Sequence, residues 1–308
     1  MAQEYDLIII GAGPAGLTAG LYAARSRLKC VALEKRVPGG QITDTERVEN
    51  YPGFPDGLLG VELGQLMHQQ AERAGMEVEY AEVTSLTVEG NSKRVTTSEG
   101  DYLAKAVIIT SGANPMKLGV PGEAEFTGRG VSYCSVCDGP FFTDKPIAVI
   151  GGGDSAVEEG DYLTRFGSKV TLVHRRDQLR ATKLLQERAF ANPKMEFRWN
   201  TVVEAVRGNN VVSALELRDV KTGEKARLDV PAVFIYVGLR PNIEFLHGLL
   251  KLDSGGHIAV NLWMETAMPG IFAAGDVRCS SAKQVVSAAG DGATAAIAAE
   301  RYVKEWKP

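Results

Sequence analysis

Asp6-Leu7-Ile8-Ile9-Ile10-Gly11-Ala12-Gly13-Pro14-Ala15-Gly16 decides the fold of this chain. A strand-sized apolar run enters the spacing G-x-G-x-x-G, Leu17 to Arg25 continues with helical periodicity, and a second strand spans Lys29 to Leu33. Strand, glycine turn, helix and strand in this order make a unit of the nucleotide-binding kind. The spacing has a physical reason. The first glycine makes the tight turn, the second lets the backbone approach a pyrophosphate, and the third packs helix on strand. The helix N-terminus then faces the phosphate charge.

The pattern recurs. Ile147-Ala148-Val149-Ile150 runs into Gly151-x-Gly153-x-x-Ala156, then a helical stretch from Ser155 to Phe166 and a strand from Lys169 to Val173. One fingerprint alone is weak, because glycines after a strand also make ordinary turns; two in full context read as an α/β chain with two Rossmann-like domains. Strand patterns cover Val83 to Val88, Arg94 to Thr97, Tyr102 to Ile109, Thr201 to Val206, Val211 to Leu217 and Ala232 to Val237, and Leu58 to Ala74 has helical spacing. Two stretches containing Pro and Gly, Gly112 to Gly122 and Val237 to Asn242, read as joints. The remaining C-terminal piece of roughly 65 residues folds only marginally by itself and lacks a fingerprint. It is therefore expected to complete the first domain. The expected division is a discontinuous domain, 1–116 with 243–308, interrupted by an inserted domain, 117–242.

The second strand of each unit separates the two sites. The first ends at Glu34, an acid suited to a ribose diol, as in FAD or NAD. The second ends at His174-Arg175-Arg176, with Arg180 close behind. Guanidinium groups bind a 2′-phosphate where a carboxylate would repel it, so this unit reads as NADP-specific.

Cys134-Ser135-Val136-Cys137 lies just ahead of the second unit. Half of a zinc site would need two more ligands, yet Cys30 and Cys279 are isolated and the four histidines show no ligand spacing. A redox dithiol, one thiolate attacking and the other resolving, fits better. Asp138 follows as a carboxyl able to move protons. Phe141 and Phe142 are equally readable as core or as an apolar docking surface. Cys30 and Cys279 are expected to stand outside the electron path.

Composition bounds the rest. Of 308 residues 44% are hydrophobic, enough for two cores, and the net charge of -4 argues against a nucleic-acid partner. No apolar run reaches membrane-spanning length, and the chain opens on a strand without a signal peptide. The expected compartment is cytoplasmic, with no membrane, nucleic-acid or metal partner.

Taken together, GAGPAG, Gly39-Gly40-Gln41, Glu49-Asn50-Tyr51-Pro52-Gly53, CSVCDG at Cys134 to Gly139, GGGDSAVEE, HRRDQLRA at His174 to Ala181, GIFAAGDV at Gly270 to Val277, Lys283-Gln284-Val285 and Gly290-Asp291-Gly292 closely resemble the bacterial-type, low-molecular-weight thioredoxin reductases. The resemblance runs from Gly11 to about Ala296. It implies three-layer ββα domains, FAD in the discontinuous one and NADPH in the inserted one, and a homodimer. It implies FAD contacts from Gly11, Gly13, Pro14, Ala15, Gly16, Glu34, Lys35, Gly40, Gln41, Asn50, Gly112, Gly275, Asp276, Lys283, Gln284 and Val285. Asp276 would hold the ribityl chain, with Gln41 and Gln284 near the flavin ring. NADPH contacts are implied for Gly151, Gly153, Asp154, Ser155, Ala156, His174, Arg175, Arg176 and Arg180. The resemblance also implies that Cys137 takes the flavin side, that Cys134 attacks thioredoxin, and that Asp138 does acid-base work. Thr110-Ser111-Gly112 departs from a common Ala-Thr-Gly, and Pro140 limits any helix continuing from the dithiol. Two alternatives stand beside this expectation: a flavin disulfide reductase with another small redox-protein acceptor, and an NADPH-dependent flavoprotein oxidase. One dithiol serving both a flavin and a protein disulfide further implies rotation of the inserted domain about the two joints.

Overall fold

The computed structural model describes residues 2–45 and 47–307. The chain forms two compact units, Met1–Asn114 with Arg240–Pro308, and Pro115–Leu239. The α/β architecture with parallel sheets agrees with the fold class read above.

Unit one is built on a seven-stranded sheet. Its parallel part runs Glu77–Tyr80, Cys30–Glu34, Gln3–Ile10, Gly100–Ile109. Ser92–Thr97 and Val83–Glu89 extend it as an antiparallel meander. Both faces of the first strand are covered, so its side chains alternate between two cores: Leu7 and Ile9 in one, Ile8 and Ile10 in the other. That double burial is why the stretch reads as a continuous apolar run. Ile271–Ala273 pairs in parallel with Val107, Ile108 and Ile109, and so closes the sheet with residues from the far end of the chain.

The first fingerprint helix, Pro14–Arg25, starts three residues before the periodicity suggests, with proline in its first turn. Proline there loses no hydrogen bond, because the first helical N–H groups have no intrahelical acceptor. The C-terminal helix, Val285–Glu305, packs against it through small residues, among them Ala288, Gly292, Ala295 and Ala299. The expected helix Leu58 to Ala74 begins at Gly60 instead, since Leu58–Leu59 pairs with Arg47–Val48 as a short strand. Gly60 leaves no room for a side chain: a Cβ would lie 2.0 Å from the Ile42 carbonyl oxygen.

Unit two holds a five-stranded parallel sheet in the order Val131–Ser132, Ala232–Tyr236, Pro146–Gly151, Lys169–Val173, Met195–Arg198. Ile147 and Val149 face the core under the helix Asp154–Leu163, and Ala148 and Ile150 face a core shared with the antiparallel strands Thr201–Gly208 and Val212–Asp219. The stretches read as joints contain strand: Ala113–Pro115 and Leu239–Pro241 pair as a two-stranded ribbon.

A Cβ on Gly292 would sit 2.1 Å from the Ala15 carbonyl oxygen and 3.1 Å from the Ala19 nitrogen, and neither backbone atom can swing aside. Gly292→Ala should therefore cost about 1–3 kcal/mol and lower the thermal midpoint. An unchanged melting curve would show that the two helices separate without penalty.

Candidate active site

In unit one the first fingerprint folds onto its own sheet. Gly11 has φ of +102°, and a Cβ there would lie 2.6 Å from the Thr110 carbonyl oxygen, so the turn requires glycine. A Cβ on Gly16 would overlap the Gly11 carbonyl oxygen at 1.9 Å, which seats the start of the helix directly on the turn. Gly13 faces Gly40, its built Cβ 3.9 Å from the Gly40 Cα, so two backbone segments line one cradle. Pro14 and Ala15 form the first helical turn beside it.

Glu34 ends the second strand with both carboxylate oxygens engaged. Oε2 accepts from the Ala12 N–H at 2.8 Å, and Oε1 accepts from the Arg36 N–H at 2.8 Å. Each oxygen keeps a further lone pair for a hydroxyl donor. Lys35 forms an exposed ion pair with Glu82 at 3.6 Å. Gln41 donates its side-chain amide to the Ala113 carbonyl, next to Gly112.

The C-terminal residues join this cradle. The built Cβ of Gly275 lies 3.0 Å from the Ala15 Cβ, which places Asp276 beside the fingerprint. Asn50 Nδ2 donates to Gln284 Oε1 at 3.0 Å across 234 positions of chain. Gln284 also caps the C-terminal helix, whose first residue is Val285, and Lys283 before it is in the left-handed region. Among the described residues the Asp276 carboxyl accepts one hydrogen bond, from Ser281 Oγ at 3.2 Å, and desolvation pushes its pKa up. Sequence reasoning missed the charge pair behind it. Asp291 takes Arg278 in a two-pronged pair, Nε to Oδ2 at 2.7 Å and Nη2 to Oδ1 at 2.8 Å, and Oδ2 also accepts from the Gly275 N–H at 3.1 Å. Both residues sit in or beside quoted motifs, but nothing in the motifs announces the pairing.

In unit two the second fingerprint is held by its neighbours. A Cβ on Gly151 would lie 2.3 Å from the Tyr236 carbonyl oxygen, and one on Gly152 would lie 2.4 Å from the His174 ring. The arginine-bearing loop is tied to the glycine turn: the Arg180 N–H donates to the Gly152 carbonyl at 2.7 Å, and the Thr182 N–H donates to Asp154 Oδ1 at 2.7 Å. Ala156 is buried, Ser155 is exposed, and Gly153 has nothing within 4 Å of its Cβ position. Arg175, Arg176 and Arg180 are exposed, and among the described residues none forms an ion pair. His174 is 5% exposed, unlike the arginines beside it. Burial and the positive charges of Arg180 and Arg176 lower its pKa, so the ring is neutral at pH 7, and Nε2 is buried without a hydrogen-bond partner.

Cys134 and Cys137 are joined as a disulfide. The helix that carries them is only Ser135–Asp138 and tightens into a 3-10 turn, Gly139–Phe142, at Pro140. Cys134 caps it: the Cys137 N–H points to Cys134 Sγ at 3.2 Å. Cys137 is exposed, and Asp138 is half-buried. The two phenylalanines divide the two readings between them. Phe142 packs edge-on against Phe234 in the core, whereas Phe141 is 75% exposed. Phe141, Phe142, Asp138, Arg129, Lys145 and Pro231 line a cleft of about 300 Å³. Cys30 is buried, its thiol pushed up to about 12, and Cys279 is half-buried.

The glycine cradle with the half-buried Asp276 carboxyl in unit one fits a dinucleotide. So does the open Gly153 turn in unit two, with its unpartnered His174 nitrogen and three unpaired guanidinium groups. Asp276 offers a test without any ligand. Its pKa is raised, so its contribution to stability is full below the ordinary 3.8 and is lost as pH climbs through the raised value. In ligand-free protein, Asp276→Asn should melt higher than wild type at neutral pH, and the gap should close on acidification. A gap that widens in acid would contradict a partly desolvated, disfavoured carboxylate.

The model of the family described as pyridine nucleotide-disulphide oxidoreductase matches residues 5–292. A thioredoxin reductase of Bacillus subtilis is 50% identical over 99% of this chain and 97% of its own length. One from Treponema pallidum is 46% identical over 98% of each. The crystal structure of Lactococcus lactis thioredoxin reductase in its FR conformation superposes with a TM-score of 0.96 at 47% identity, covering 98% of this chain and 100% of that one. The thioredoxin reductase structure from T. acidophilum gives 0.93 at 35% identity, covering 97% and 98%. With two glycine fingerprints, a disulfide-bonded Cys-x-x-Cys and this likeness along its length, the chain belongs to the pyridine nucleotide-disulphide oxidoreductase family and, within it, to the thioredoxin reductases.

Proposed function

We propose that this oxidoreductase passes two electrons from NADPH through FAD to the Cys134–Cys137 disulfide and on to thioredoxin. The net reaction is NADPH, a proton and thioredoxin disulfide giving NADP+ and thioredoxin dithiol. The observation that carries this reading is the Cys134–Cys137 disulfide, held on a short helix in the same unit as the second fingerprint.

In this reading Met1–Asn114 with Arg240–Pro308 holds FAD. Asp276 accepts from the ribityl chain, Glu34 from the ribose, and Asn50, Gln41 and Gln284 lie about the ring. A hydroxyl donor on Asp276 offsets the cost that burial places on its charge. Pro115–Leu239 holds NADPH, with Arg175, Arg176 and Arg180 around the 2′-phosphate. The buried His174 supports the glycine turn from behind. Bound FAD would take a hydride from NADPH and deliver the electron pair to the disulfide.

The protein groups do the rest. Reduction breaks the Cys134–Cys137 bond and leaves two thiols. The Cys134 thiolate, supported by the Cys137 N–H, attacks one sulfur of the thioredoxin disulfide and forms a mixed disulfide. Asp138 takes the proton of the Cys134 thiol and returns it to the departing thioredoxin thiolate. Cys137 then attacks Cys134 Sγ, which restores the Cys134–Cys137 bond and frees thioredoxin dithiol. Exposed Phe141 and its cleft offer an apolar landing surface beside the dithiol. The same dithiol serves flavin and protein in turn, so the reading includes rotation about the two crossings near Asn114 and Arg240.

The test is NADPH oxidation with thioredoxin, followed beside the flavin spectrum. Turnover should require thioredoxin and vanish in Cys134→Ser. Oxygen-dependent NADPH consumption that survives this substitution would support the oxidase instead. Replacing Arg175 and Arg176 with neutral residues should raise KM for NADPH about 10-fold or more, since a charge-assisted contact contributes about 1.5–3 kcal/mol. KM for NADH should barely move. Equal effects on both nucleotides would remove the arginines from the phosphate site.

A further inference from the structure

The strand Ala232–Tyr236 ends beside both the second fingerprint and the dithiol helix. The Tyr236 carbonyl oxygen lies where a Cβ on Gly151 would go. Its hydroxyl oxygen accepts from the Ser135 N–H at 2.9 Å and forms a hydroxyl–hydroxyl hydrogen bond with Ser135 Oγ at 2.6 Å. Ser135 is 1% exposed, so these groups have no water to turn to. The helix Ser135–Asp138 is one turn long and has almost no intrahelical bonding of its own. Besides the Asp138 N–H to Cys134 carbonyl bond at 3.2 Å and the Ser132 Oγ that accepts from the Cys134 N–H, it is ordered by the tyrosine hydroxyl at Ser135 and the sulfur of Cys134 at the Cys137 N–H.

We propose that Tyr236 is a positioning residue for the dithiol: its hydroxyl holds Ser135, and through it keeps the Cys137 N–H aimed at Cys134 Sγ after the disulfide opens. In the oxidised state the covalent ring holds this geometry unaided. In the reduced state only hydrogen bonds remain, and those at Ser135 help to keep in place the N–H that supports a Cys134 thiolate. Loss of the hydroxyl therefore destabilises the reduced form more than the oxidised form. The couple shifts to a lower potential, and Cys134 becomes a poorer nucleophile.

This inference rests on Cys134 and Cys137 being the redox pair. The experiment compares wild type with Tyr236→Phe, which keeps the ring and the backbone carbonyl over Gly151. The dithiol potential is read by equilibration in glutathione redox buffers with mass-tagged thiols, and reactivity by the rate of Cys134 alkylation in reduced protein at neutral pH. Loss of the two hydrogen bonds at Ser135, felt more in the reduced form than in the oxidised one, should change the equilibrium constant and the rate about 2- to 10-fold, the former equal to about 9–30 mV. A wild-type disulfide that NADPH cannot reduce would overturn the reading of the redox pair itself. A wild-type disulfide that cycles, beside a folded Tyr236→Phe with unchanged potential and alkylation rate, overturns the role of Tyr236 alone. If Tyr236→Phe does not fold, Ser135→Ala decides. It keeps the N–H bond and loses the Oγ contact, so a smaller shift in the same direction supports the proposal, and no shift rejects it.

Discussion

Backbone meets backbone where Gly292 passes Ala15, and unit one is arranged around that approach. A side chain at position 292 would overlap the Ala15 carbonyl oxygen at 2.1 Å. Two helices this close exclude all but small residues between them, which is why Ala19, Ala23, Ala288, Ala295 and Ala299 fill the seam. The approach sets where the C-terminal segment enters. Gly275 then meets Ala15, Ile271–Ala273 extends the sheet at Val107–Ile109, and Gln284 reaches Asn50. At the other end of the same helix, buried Lys93 donates to Tyr302 Oη and the Asn91 carbonyl, tying the meander to it.

Charge is handled in two ways. The Arg278–Asp291 pair, with Asp291 buried and Arg278 half-buried, is nearly satisfied by a two-pronged contact and a backbone donor at Gly275. Removing one partner of such a pair leaves an uncompensated charge, so the pair holds the Gly275 turn stiffly in place. Asp276, one residue along, has a single hydroxyl donor and a pKa raised by burial. In unit two the three arginines after His174 are exposed and unpaired among the described residues. Complete networks thus build the scaffold, and incomplete ones mark the positions proposed to meet a ligand.

Unit two gathers its chemistry at the ends of three adjacent parallel strands. Gly151 ends the central one, Tyr236 ends one neighbour, and His174 directly follows the other. Ligands of open α/β sheets bind at the carboxyl ends of the strands. Here both flanking strands press a group onto the glycine turn, the Tyr236 carbonyl at Gly151 and the His174 ring at Gly152. The glycines admit these neighbours as well as any phosphate. The Tyr236 side chain then continues to Ser135, so a nucleotide fingerprint and a dithiol share one rigid strand end.

Sequence alone determined the features that depend on neighbours in the chain. Both strand–helix–strand units were legible because burial on two faces makes an apolar run, and a tight turn makes a glycine spacing. The arginine cluster and the Cys-x-x-Cys were legible for the same local reason. Other elements carried no such signal. The edge strands Glu77–Tyr80 and Met195–Arg198 are short and only partly apolar. The helix Val285–Glu305 hides its contact face in alanine and glycine, which give little periodicity. Only the tertiary structure decided the pairings across long separations: Arg278 with Asp291, Asn50 with Gln284, Tyr236 with Ser135, and His174 turned inward under Gly152 while Arg175 and Arg176 face solvent. A residue type states what a side chain can bond, but its partner depends on which distant backbone the packing brings within 3 Å.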